Sequence, residues 1–348
     1  MNTIRVGIVG LGANTRLHHV PGLRACENVE IAGVCNRRPE STKQAADEYG
    51  IPKSFDNWQE LVADDDIDAV VIGTWPYLHC DITVAAQQAQ KHVLVEARMA
   101  RDADEAHRML EASRQNAGLV AQIVPSPFGL RVHQTVKELL DDGYVGDLRE
   151  VVVLGCNAGC ADPSAPLHWR QSAELSGLNM LTMGILHETL IRWVPNPVRV
   201  LAQTQTFTSQ RPDPRTGGTG DVGTPDSVHV LTELPGGARG IYHLSGVMHH
   251  APPLQIRIFG SDGTLQCLCA PEDRLLGARK DDDELTEIAV PEDKQGGWRV
   301  EADFIDAIRG EKPIEFTDFE TGVRYMEFTE AVARSAAAGQ EIPLPLER

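Results

Sequence analysis

The sequence predicts an α/β fold in which a doubly wound parallel sheet is followed by an α/β domain with an open, mostly antiparallel sheet. The length of 348 residues exceeds the roughly 100–200 residues of a single domain, which predicts two. The first 125 residues alternate short β-branched runs with helical patterns, as parallel strands covered by helices do. From Val198 to about Val290, short strand patterns are separated by Gly, Pro and Asp clusters, which favours antiparallel strands.

The first domain is predicted to span residues 1–125 and the second residues 126–348. Five runs in the first domain have the composition of buried strands: IRVGIV, VEIAGVC, DAVVIGT, KHVLVE and GLVAQIV. The pattern changes after Pro125, where the regular alternation of strands and helices ends. The domain boundary is therefore predicted at this proline.

The second domain is predicted to begin with a helix at about 130–141, which the strand LREVVVLG follows. Residues 209–226 are rich in Pro, Gly and Asp, so a mobile loop is expected there. A final pair of helices, at about 298–308 and 319–336, is expected to pack back toward the first domain.

Composition and charge exclude several classes of protein. Hydrophobic residues make up 42% of the chain, yet no apolar run approaches the roughly 18 residues of a membrane helix, so a soluble protein is expected. The net charge of −18 repels phosphate backbones, and we expect no nucleic-acid partner. The first apolar run, Ile4–Val9, leads directly into glycines, which favours a strand over a signal peptide and a cytoplasmic location over export.

The seven cysteines are odd in number and lie mostly in apolar surroundings, as is typical of reduced thiols in the cytoplasm. Cys156 and Cys160 form one close pair, and Cys267 and Cys269 form another. Neither pair has the spacing of a zinc finger, so no metal is expected.

A glycine-rich loop follows the first predicted strand. Gly10 and Gly12 let the backbone approach a pyrophosphate, and free N–H groups at the helix start attract its charge. Thr15 occupies the place of the third glycine of G-x-G-x-x-G, and its hydroxyl is a further candidate donor. With Asn14, these residues are predicted to bind a nicotinamide dinucleotide. The alternative is a simple tight turn.

The second strand ends in Asn36, Arg37 and Arg38, about twenty residues after the glycines. An NAD-selective site usually has an acidic residue here, which holds the ribose hydroxyls. Guanidinium groups instead pair with a 2′-phosphate, so NADP is predicted in preference to NAD. The alternative is that both arginines belong to a solvated turn.

Further segments carry a resemblance that covers nearly the whole chain. They are GTWPYLH at 73–79, KHVLVEARMA at 91–100, WRQ at 169–171 and FIDAIRGEKPIEFTDFETG at 304–322. With the opening glycines, they resemble the Gfo/Idh/MocA family, which includes glucose-fructose oxidoreductase and inositol dehydrogenases. The resemblance implies an N-terminal Rossmann domain and a second domain with an open antiparallel sheet that often builds dimers or tetramers. It also implies reversible hydride transfer between nicotinamide C4 and a secondary alcohol of a sugar, sugar derivative or inositol.

The sequence departs from this family at two motifs. Most members have a catalytic lysine in Glu-Lys-Pro at the end of the fifth strand, whereas this chain has Glu96, Ala97 and Arg98. Where the family commonly has Asp-x-Gly-x-His, the Asp is replaced by Thr182 and the histidine, His187, comes one residue late. The lysine's role in proton transfer therefore has no occupant at position 97.

His187 is the predicted acid/base, because only histidine has an ordinary pKa near neutrality. Glu188 is predicted to orient it or to act as an alternative base. Arg170 is predicted to contact the substrate. The alternative for His187 is a hydrogen-bonded histidine on the packed face of the helix.

Other side chains are assigned by their positions in the family-like segments. His168 and Trp169 are predicted to contact a sugar-like substrate, with a loop anchor as the alternative for the Trp-Arg pair. The predicted contacts of the cofactor also include Thr74, Trp75, His79, Glu96 and Arg98. Arg98 would act as a fixed cation, since its high pKa makes it a poor proton shuttle.

The leading functional prediction is an NAD(P)-dependent oxidoreductase for a sugar-like or cyclitol alcohol, forming a homodimer or homotetramer. A nicotinamide-dependent lyase or glycosidase, which oxidises its sugar transiently, is a second hypothesis. A non-catalytic protein that binds the dinucleotide is a third.

Overall fold

The computed structural model describes residues 2–347 and contains two compact units. The first comprises the residues up to Pro125 together with Arg299–Val323. The second comprises Ser126–Trp298 and the residues from Arg324 onward. Residues 299–323, predicted to lie in the second domain, thus belong to the first unit.

The first unit contains a six-stranded parallel sheet. Its strands are β1 (Ile4–Val9), β2 (Val29–Cys35), β3 (Lys53–Ser54), β4 (Ala69–Ile72), β5 (His92–Val95) and β6 (Ala121–Ile123). They lie in the order β3-β2-β1-β4-β5-β6, and every pair is parallel. Every residue of β4 is buried, as expected for a strand covered by helices on both faces. The predicted Rossmann topology is confirmed.

Helices follow the strands of this sheet. A π-helical turn, Thr15–His19, precedes α1 (Val20–Ala25), α2 (Pro39–Tyr49), α3 (Trp58–Ala63), α4 (His79–Gln88) and α5 (Ala103–Gln115). Local chemistry sets their ends. Asn57 and Asp102 cap α3 and α5 by accepting hydrogen bonds of 2.9 Å from the backbone N–H groups three residues later. Pro39 begins α2, where its missing N–H costs nothing.

The second unit contains a nine-stranded sheet and a separate hairpin. The strands are β7 (Leu148–Cys156), β8 (Arg199–Gln205), β9 (Gln210–Asp213), β10 (Gly218–Asp221), β11 (Ser227–Glu233), β12 (Arg239–Ser245), β13 (Gln255–Gly260), β14 (Gly263–Leu268), β15 (Arg274–Arg279), β16 (Thr286–Glu287) and β17 (Ile342–Pro343). The large sheet has the order β16-β15-β14-β13-β7-β12-β11-β8-β17. Its β7–β12 pair is parallel and its other pairs are antiparallel, which confirms the predicted open, mostly antiparallel sheet.

The hairpin β9–β10 lies within residues 209–226, where a mobile loop was expected. Arg211 orders it, because this fully buried guanidinium donates to the carbonyls of Asp162 and Cys160, each at 2.6 Å. The turn residues therefore connect two paired strands instead of a flexible segment.

The remaining helices are α6 (His133–Asp141), α7 (Ala173–Ser176), α8 (Met183–Leu190), α9 (Val300–Arg309) and α10 (Phe319–Ala338). On β11, buried and exposed residues alternate, so one face of the large sheet packs inward and the other lies open. Within residues 2–347, no helix is both long and apolar enough to cross a bilayer.

Candidate cofactor and substrate sites

The glycine loop begins where β1 ends. Gly10 has a φ of 89°, and a Cβ at this position would lie 2.8 Å from backbone atoms of Gly73 and Thr74. Only glycine tolerates both constraints. The N–H of Gly10 donates to the Cys35 carbonyl at 2.8 Å, so the loop is fixed against the ends of β2 and β4.

Thr15 stabilises this loop from the helix side. Its buried hydroxyl donates to the Gly10 carbonyl at 3.0 Å. The hydroxyl hydrogen is thus already used, which corrects its predicted role as a phosphate donor. The neighbouring Asn14 is exposed and its side-chain amide donates to the Glu96 carboxylate.

A cavity of about 920 Å³ lies at the carboxyl ends of β1, β2 and β4. This edge of the sheet is where open α/β folds bind dinucleotides, at the point where the strand order reverses. The predicted cofactor residues that line it are Gly10, Gly12, Asn36, Arg37, Arg38, Thr74 and Trp75. Sequence reasoning missed other residues of its wall, among them Asp56, Asn57, Trp58 and Tyr77.

The end of β2 supplies both a loop anchor and free cations. The Asn36 side chain accepts from the Leu11 N–H at 2.7 Å and donates to the Ser41 carbonyl at 3.0 Å, so it holds the glycine loop in place. Arg37 and Arg38 are exposed, and neither forms an ion pair with any other described residue. Both guanidinium groups are therefore available to an anion in the cavity.

His79, predicted on the cofactor side or at a helix start, is the first residue of α4. It is fully buried at the start of α4, with Nε2 3.0 Å from the Thr74 carbonyl and Nδ1 3.0 Å from the Arg98 carbonyl. Burial lowers the pKa of His79, so the ring is neutral at physiological pH. The ring holds the loop after β4 beside the loop after β5.

Glu96 belongs to a buried charge cluster that motif analysis missed. His19 is fully buried, with Nδ1 2.5 Å from a Glu301 carboxylate oxygen and Nε2 3.0 Å from a Glu96 carboxylate oxygen. Burial lowers the pKa of His19, but the hydrogen bonds to Glu301 and Glu96 outweigh it and raise the pKa to about 9. Burial acts to raise the pKa of Glu96, but His19 and Asn14 reverse this effect and lower it. His19 is therefore protonated and Glu96 ionised near pH 7.

The position of the family's lysine is occupied by Ala97, which has no ionisable group. The next side chain, Arg98, is 5% exposed and buried within the first unit. Its predicted contact with the cofactor stays a prediction.

The structure corrects the predicted catalytic role of His187. The ring is fully buried in the second unit, where Nδ1 accepts from the Tyr242 hydroxyl at 2.7 Å and Nε2 donates to the Asn196 side-chain oxygen at 2.9 Å. It stacks on Phe328 with 3.6 Å between ring centroids. Burial lowers its pKa to about 3. Both nitrogens are used and no substrate can reach them, so His187 is a packed structural histidine.

Glu188 is corrected for a similar reason. Its side chain is 3% exposed and forms an ion pair with Arg192 at 2.6 Å. The carboxylate also accepts from the Ser126 N–H at 3.0 Å. These contacts fix the start of the second unit and hold the Glu188 carboxylate away from solvent.

His168, Trp169 and Arg170 form a compact surface motif in the second unit. The His168 imidazole accepts from the Arg170 N–H at 3.2 Å, which fixes a short helical turn. The Arg170 guanidinium lies 4.3 Å from the centroid of the Trp169 ring. His168 and Arg170 are exposed, so the motif offers an aromatic surface together with hydrogen-bond donors and acceptors.

The site lies in a chain that matches two family models. Residues 4–123 match the oxidoreductase family with an NAD-binding Rossmann fold, and residues 133–266 match the GFO/IDH/MocA C-terminal domain. The chain belongs to the Gfo/Idh/MocA family. The resemblance identified from the sequence motifs is thus confirmed.

Relatives in the Gfo/Idh/MocA family align over part of their length. The chain is 26% identical to levoglucosan dehydrogenase of Pseudarthrobacter phenanthrenivorans over 193 residues, which is 52% of this chain and 48% of the relative. It is 29% identical to inositol 2-dehydrogenase of Salmonella typhimurium over 145 residues, or 41% of this chain and 43% of the relative. The aligned segments therefore span about half of these relatives.

Solved Gfo/Idh/MocA structures share the whole fold. A levoglucosan dehydrogenase in complex with NADH and L-sorbose has a TM-score of 0.88 at 22% identity and covers 99% of both chains. The WlbA dehydrogenase from Bordetella pertussis, in complex with NADH and UDP-GlcNAcA, has a TM-score of 0.82 at 23% identity and covers 99% of this chain and 100% of that one. These similarities establish the fold.

The buried state of His187 predicts a specific pH dependence of stability. Because its folded-state pKa is near 3 and its unfolded value near 6.5, the unfolded chain binds a proton first as the pH falls. The contribution of neutral His187 to the free energy of unfolding is fully present above pH 6.5. Below that pH the contribution falls by up to about 1.4 kcal/mol per pH unit. In His187→Gln, urea denaturation between pH 6.5 and 4.5 is expected to show a correspondingly smaller slope.

His133 contributes in the same direction, since burial lowers its pKa to about 4, so the variant retains part of the slope. The control is His249→Gln, which changes an exposed histidine of the same unit. An unchanged slope in His187→Gln would show that this ring titrates normally and is accessible.

Proposed function

We propose that this protein is an NAD(P)-dependent oxidoreductase that transfers a hydride between nicotinamide and a secondary alcohol of a sugar, sugar derivative or cyclitol. The observation that carries the proposal is the cavity built around Gly10 and Gly12 at the switch point of a Rossmann sheet. The membership of the chain in an oxidoreductase family supports it. So do the names of relatives, which include an inositol and a levoglucosan dehydrogenase.

In this proposal the dinucleotide lies across the carboxyl ends of the strands. The backbone N–H groups of the glycine loop hold the pyrophosphate, and the adenosine lies toward the end of β2. When bound, nicotinamide would supply the hydride acceptor. Thr74 and Trp75 form the wall on the β4 side, and His79 fixes their loop.

We propose that the stack of half-buried Trp169 and exposed Arg170, with His168, contacts the substrate. A flat aromatic ring packs against the C–H face of a sugar, while the guanidinium donates hydrogen bonds to hydroxyls or a carboxylate. The named ligands of structural relatives, L-sorbose and UDP-GlcNAcA, are consistent with a sugar-like substrate.

Arg37 and Arg38 support a preference for NADP over NAD. Their unpaired guanidinium groups lie beside the cavity at the strand end where the adenosine ribose binds. Glu40 and Asp56 also line the cavity, but Glu40 lies at the start of α2 and Asp56 follows β3. We therefore assign the 2′-phosphate to the two arginines.

Arg37→Glu tests the cofactor preference. The substitution replaces a phosphate-binding cation by an anion, so NADP affinity is expected to fall at least tenfold, while NAD affinity changes less. Lys43→Glu makes the same charge change on α2 at an exposed position whose lysine pairs with Asp47. The dissociation constants are measured by fluorescence titration. Tighter binding of NAD than of NADP by the wild type would contradict the assignment. An equal loss of NADP affinity in Arg37→Glu and Lys43→Glu would contradict it as well.

The absence of the family's lysine predicts slow turnover. A general base contributes roughly 10²–10⁴-fold in rate, and Ala97 supplies none. With a panel of polyols, sugars and cyclitols, the wild type is expected to form NAD(P)H stoichiometrically but slowly, and Ala97→Lys is expected to raise kcat at least tenfold.

Ala97→Met is the matched control, because it adds similar bulk without an amine. Glycoside cleavage without net reduction of the dinucleotide would favour the lyase or glycosidase instead. Dinucleotide binding without either reaction, in the wild type and in Ala97→Lys, would favour a non-catalytic protein.

We further propose that the open face of the large sheet forms a homodimer or homotetramer interface. Leu231 on β11 lies between Leu201 on β8 and Ile241 on β12, and these three side chains are 37–55% exposed. Exposed apolar rows of this kind mark interaction sites.

A cytoplasmic location is proposed as well, supported by the seven free cysteines.

Leu231→Asp tests the interface by placing a charge at the centre of the apolar row. Light scattering after size-exclusion chromatography is expected to show an oligomeric wild type and a smaller species for the variant. Leu285→Asp changes an exposed leucine outside the large sheet's strands and is expected to leave the mass unchanged. A monomeric wild type would contradict the proposal.

A further inference from the structure

Two buried thiols lie side by side in the second unit, at the end of β14. Cys267 is 3% exposed and Cys269 is 4% exposed, and their Sγ atoms are 3.6 Å apart. Alternate residues of an extended strand point to the same face, so a spacing of two residues places both thiols on one side. Neither thiol belongs to the sites proposed above for the cofactor and the substrate.

The large sheet fixes the backbone of this thiol pair. Cys267 is paired with Ile256 of β13 on one side and with Leu275 of β15 on the other. The N–H of Cys269 donates to the Leu254 carbonyl at 2.9 Å, which continues the β13–β14 pairing beyond the last residue of β14. The positions of the two Cβ atoms are therefore set by strand pairing on both sides.

Asp273, just before β15, brings a carboxylate to the thiol pair. A carboxylate oxygen and the two sulfur atoms all lie within 4.8 Å of one another. The carboxylate is itself held in place, since it accepts from the N–H of Gly129 at 2.9 Å and from that of Arg131 at 3.2 Å. Each carboxylate oxygen has two lone pairs, so each can accept a further contact. Two sulfur atoms and one oxygen therefore surround one point.

The distance between the sulfur atoms suits a tetrahedral metal ion. Zinc bonds to thiolate sulfur at about 2.3 Å, so two sulfur ligands at a tetrahedral angle lie about 3.8 Å apart. The distance of 3.6 Å in the structure is close to this value. A disulfide needs about 2.05 Å instead. A hydrogen bond between the two thiols is the alternative that gives a similar distance.

The charges at this position suit a divalent cation. Two thiolates and one carboxylate carry three negative charges, of which a divalent ion balances two. Nη1 of Arg131 donates to the Asp273 carbonyl at 3.3 Å, so a guanidinium group lies beside the remaining negative charge. Thiolate ligands favour zinc over the hard cations magnesium and calcium, which prefer oxygen. The donor set therefore points to zinc.

An ion can reach these three groups from solvent. Asp273 is half-buried, and the three residues before it, at 270–272, are exposed. Three protein ligands also leave one position of a tetrahedron for a water molecule.

We propose that Cys267, Cys269 and Asp273 bind a zinc ion, with water as the fourth ligand. Binding releases one proton from each thiol, because the thiolate is the ligand. Through Asp273, the ion links the β14–β15 hairpin to the segment at Gly129 and Arg131. The cysteine spacing is not that of a zinc finger, because the third ligand is an aspartate of the same hairpin. The inference is independent of the proposed function, since it requires no dinucleotide.

Metal titration of the full-length protein, reduced and freed of metal by a chelator, tests the inference. Cobalt is the spectroscopic probe, because thiolate bonding gives a charge-transfer band in the near ultraviolet and tetrahedral coordination gives intense visible bands. The wild type is expected to show both signals, and to saturate at one cobalt ion per chain. Zinc is expected to displace the cobalt with a dissociation constant below about 1 μM.

Serine variants identify the ligands. Cys267→Ser and Cys269→Ser each remove one sulfur at nearly constant size, and each is expected to weaken zinc binding at least about 100-fold. Asp273→Asn is expected to weaken it at least about tenfold. The matched control is Cys156→Ser, which changes a thiol of the same unit that donates to the His243 carbonyl at 3.3 Å. It is expected to change zinc affinity by less than about twofold.

The inference is overturned if the reduced wild type binds neither cobalt nor zinc. It is also overturned if zinc affinity is the same in the wild type, Cys267→Ser and Cys269→Ser, or if Cys156→Ser weakens binding as much as they do. If the serine variants do not fold, X-ray absorption of the zinc-loaded wild type decides. Two sulfur neighbours at about 2.3 Å support the site, whereas a shell of nitrogen and oxygen alone overturns it.

Discussion

The close approach of Gly10 to Gly73 is the constraint on which the candidate site depends. It brings the end of β1 against the end of β4, so the glycine loop lies at the reversal of strand order. The Thr15 hydroxyl and the Asn36 side chain then fix the loop from two sides. The third glycine of the common motif is replaced by Thr15, whose hydroxyl bonds to the Gly10 carbonyl within the loop. The loop therefore keeps its backbone conformation without the third glycine.

The fold was largely predictable from the sequence, because its signals are local. Buried parallel strands have continuous β-branched runs in the sequence, and in the half-exposed β11 apolar and polar residues alternate. The hairpin β9–β10 was missed because its Pro, Gly and Asp residues are those of a loop, while the group that orders it, Arg211, bonds to carbonyls about fifty residues away. Residues 299–323 were predicted in the second domain, with the last helices packing back toward the first, and they group with the first unit. Their exact grouping leaves no local pattern in the sequence, because the packing partners are distant along the chain.

The candidate site was predictable on the cofactor side and less so elsewhere. Glycine spacing and the arginines after β2 identified much of the cavity wall. A catalytic role was predicted for His187 because of its residue type. A shift of one residue on a helix turns a side chain by about 100°, and the His187 ring contacts Phe328 and Tyr242. The Glu96 cluster could not be assembled from the sequence, since His19 and Glu301 are 282 positions apart.

Ala97, the buried His187 and the ionised Glu96 give a consistent account of a divergent member of the family. The chain retains the architecture for a dinucleotide, lacks the usual lysine, and places its remaining charges in positioning and electrostatic roles. The most direct test is a crystal structure grown with NADP. We expect the pyrophosphate to lie at Gly10 and Gly12, and the 2′-phosphate at Arg37 and Arg38. An empty cavity at saturating NADP, or a dinucleotide bound elsewhere, would contradict it.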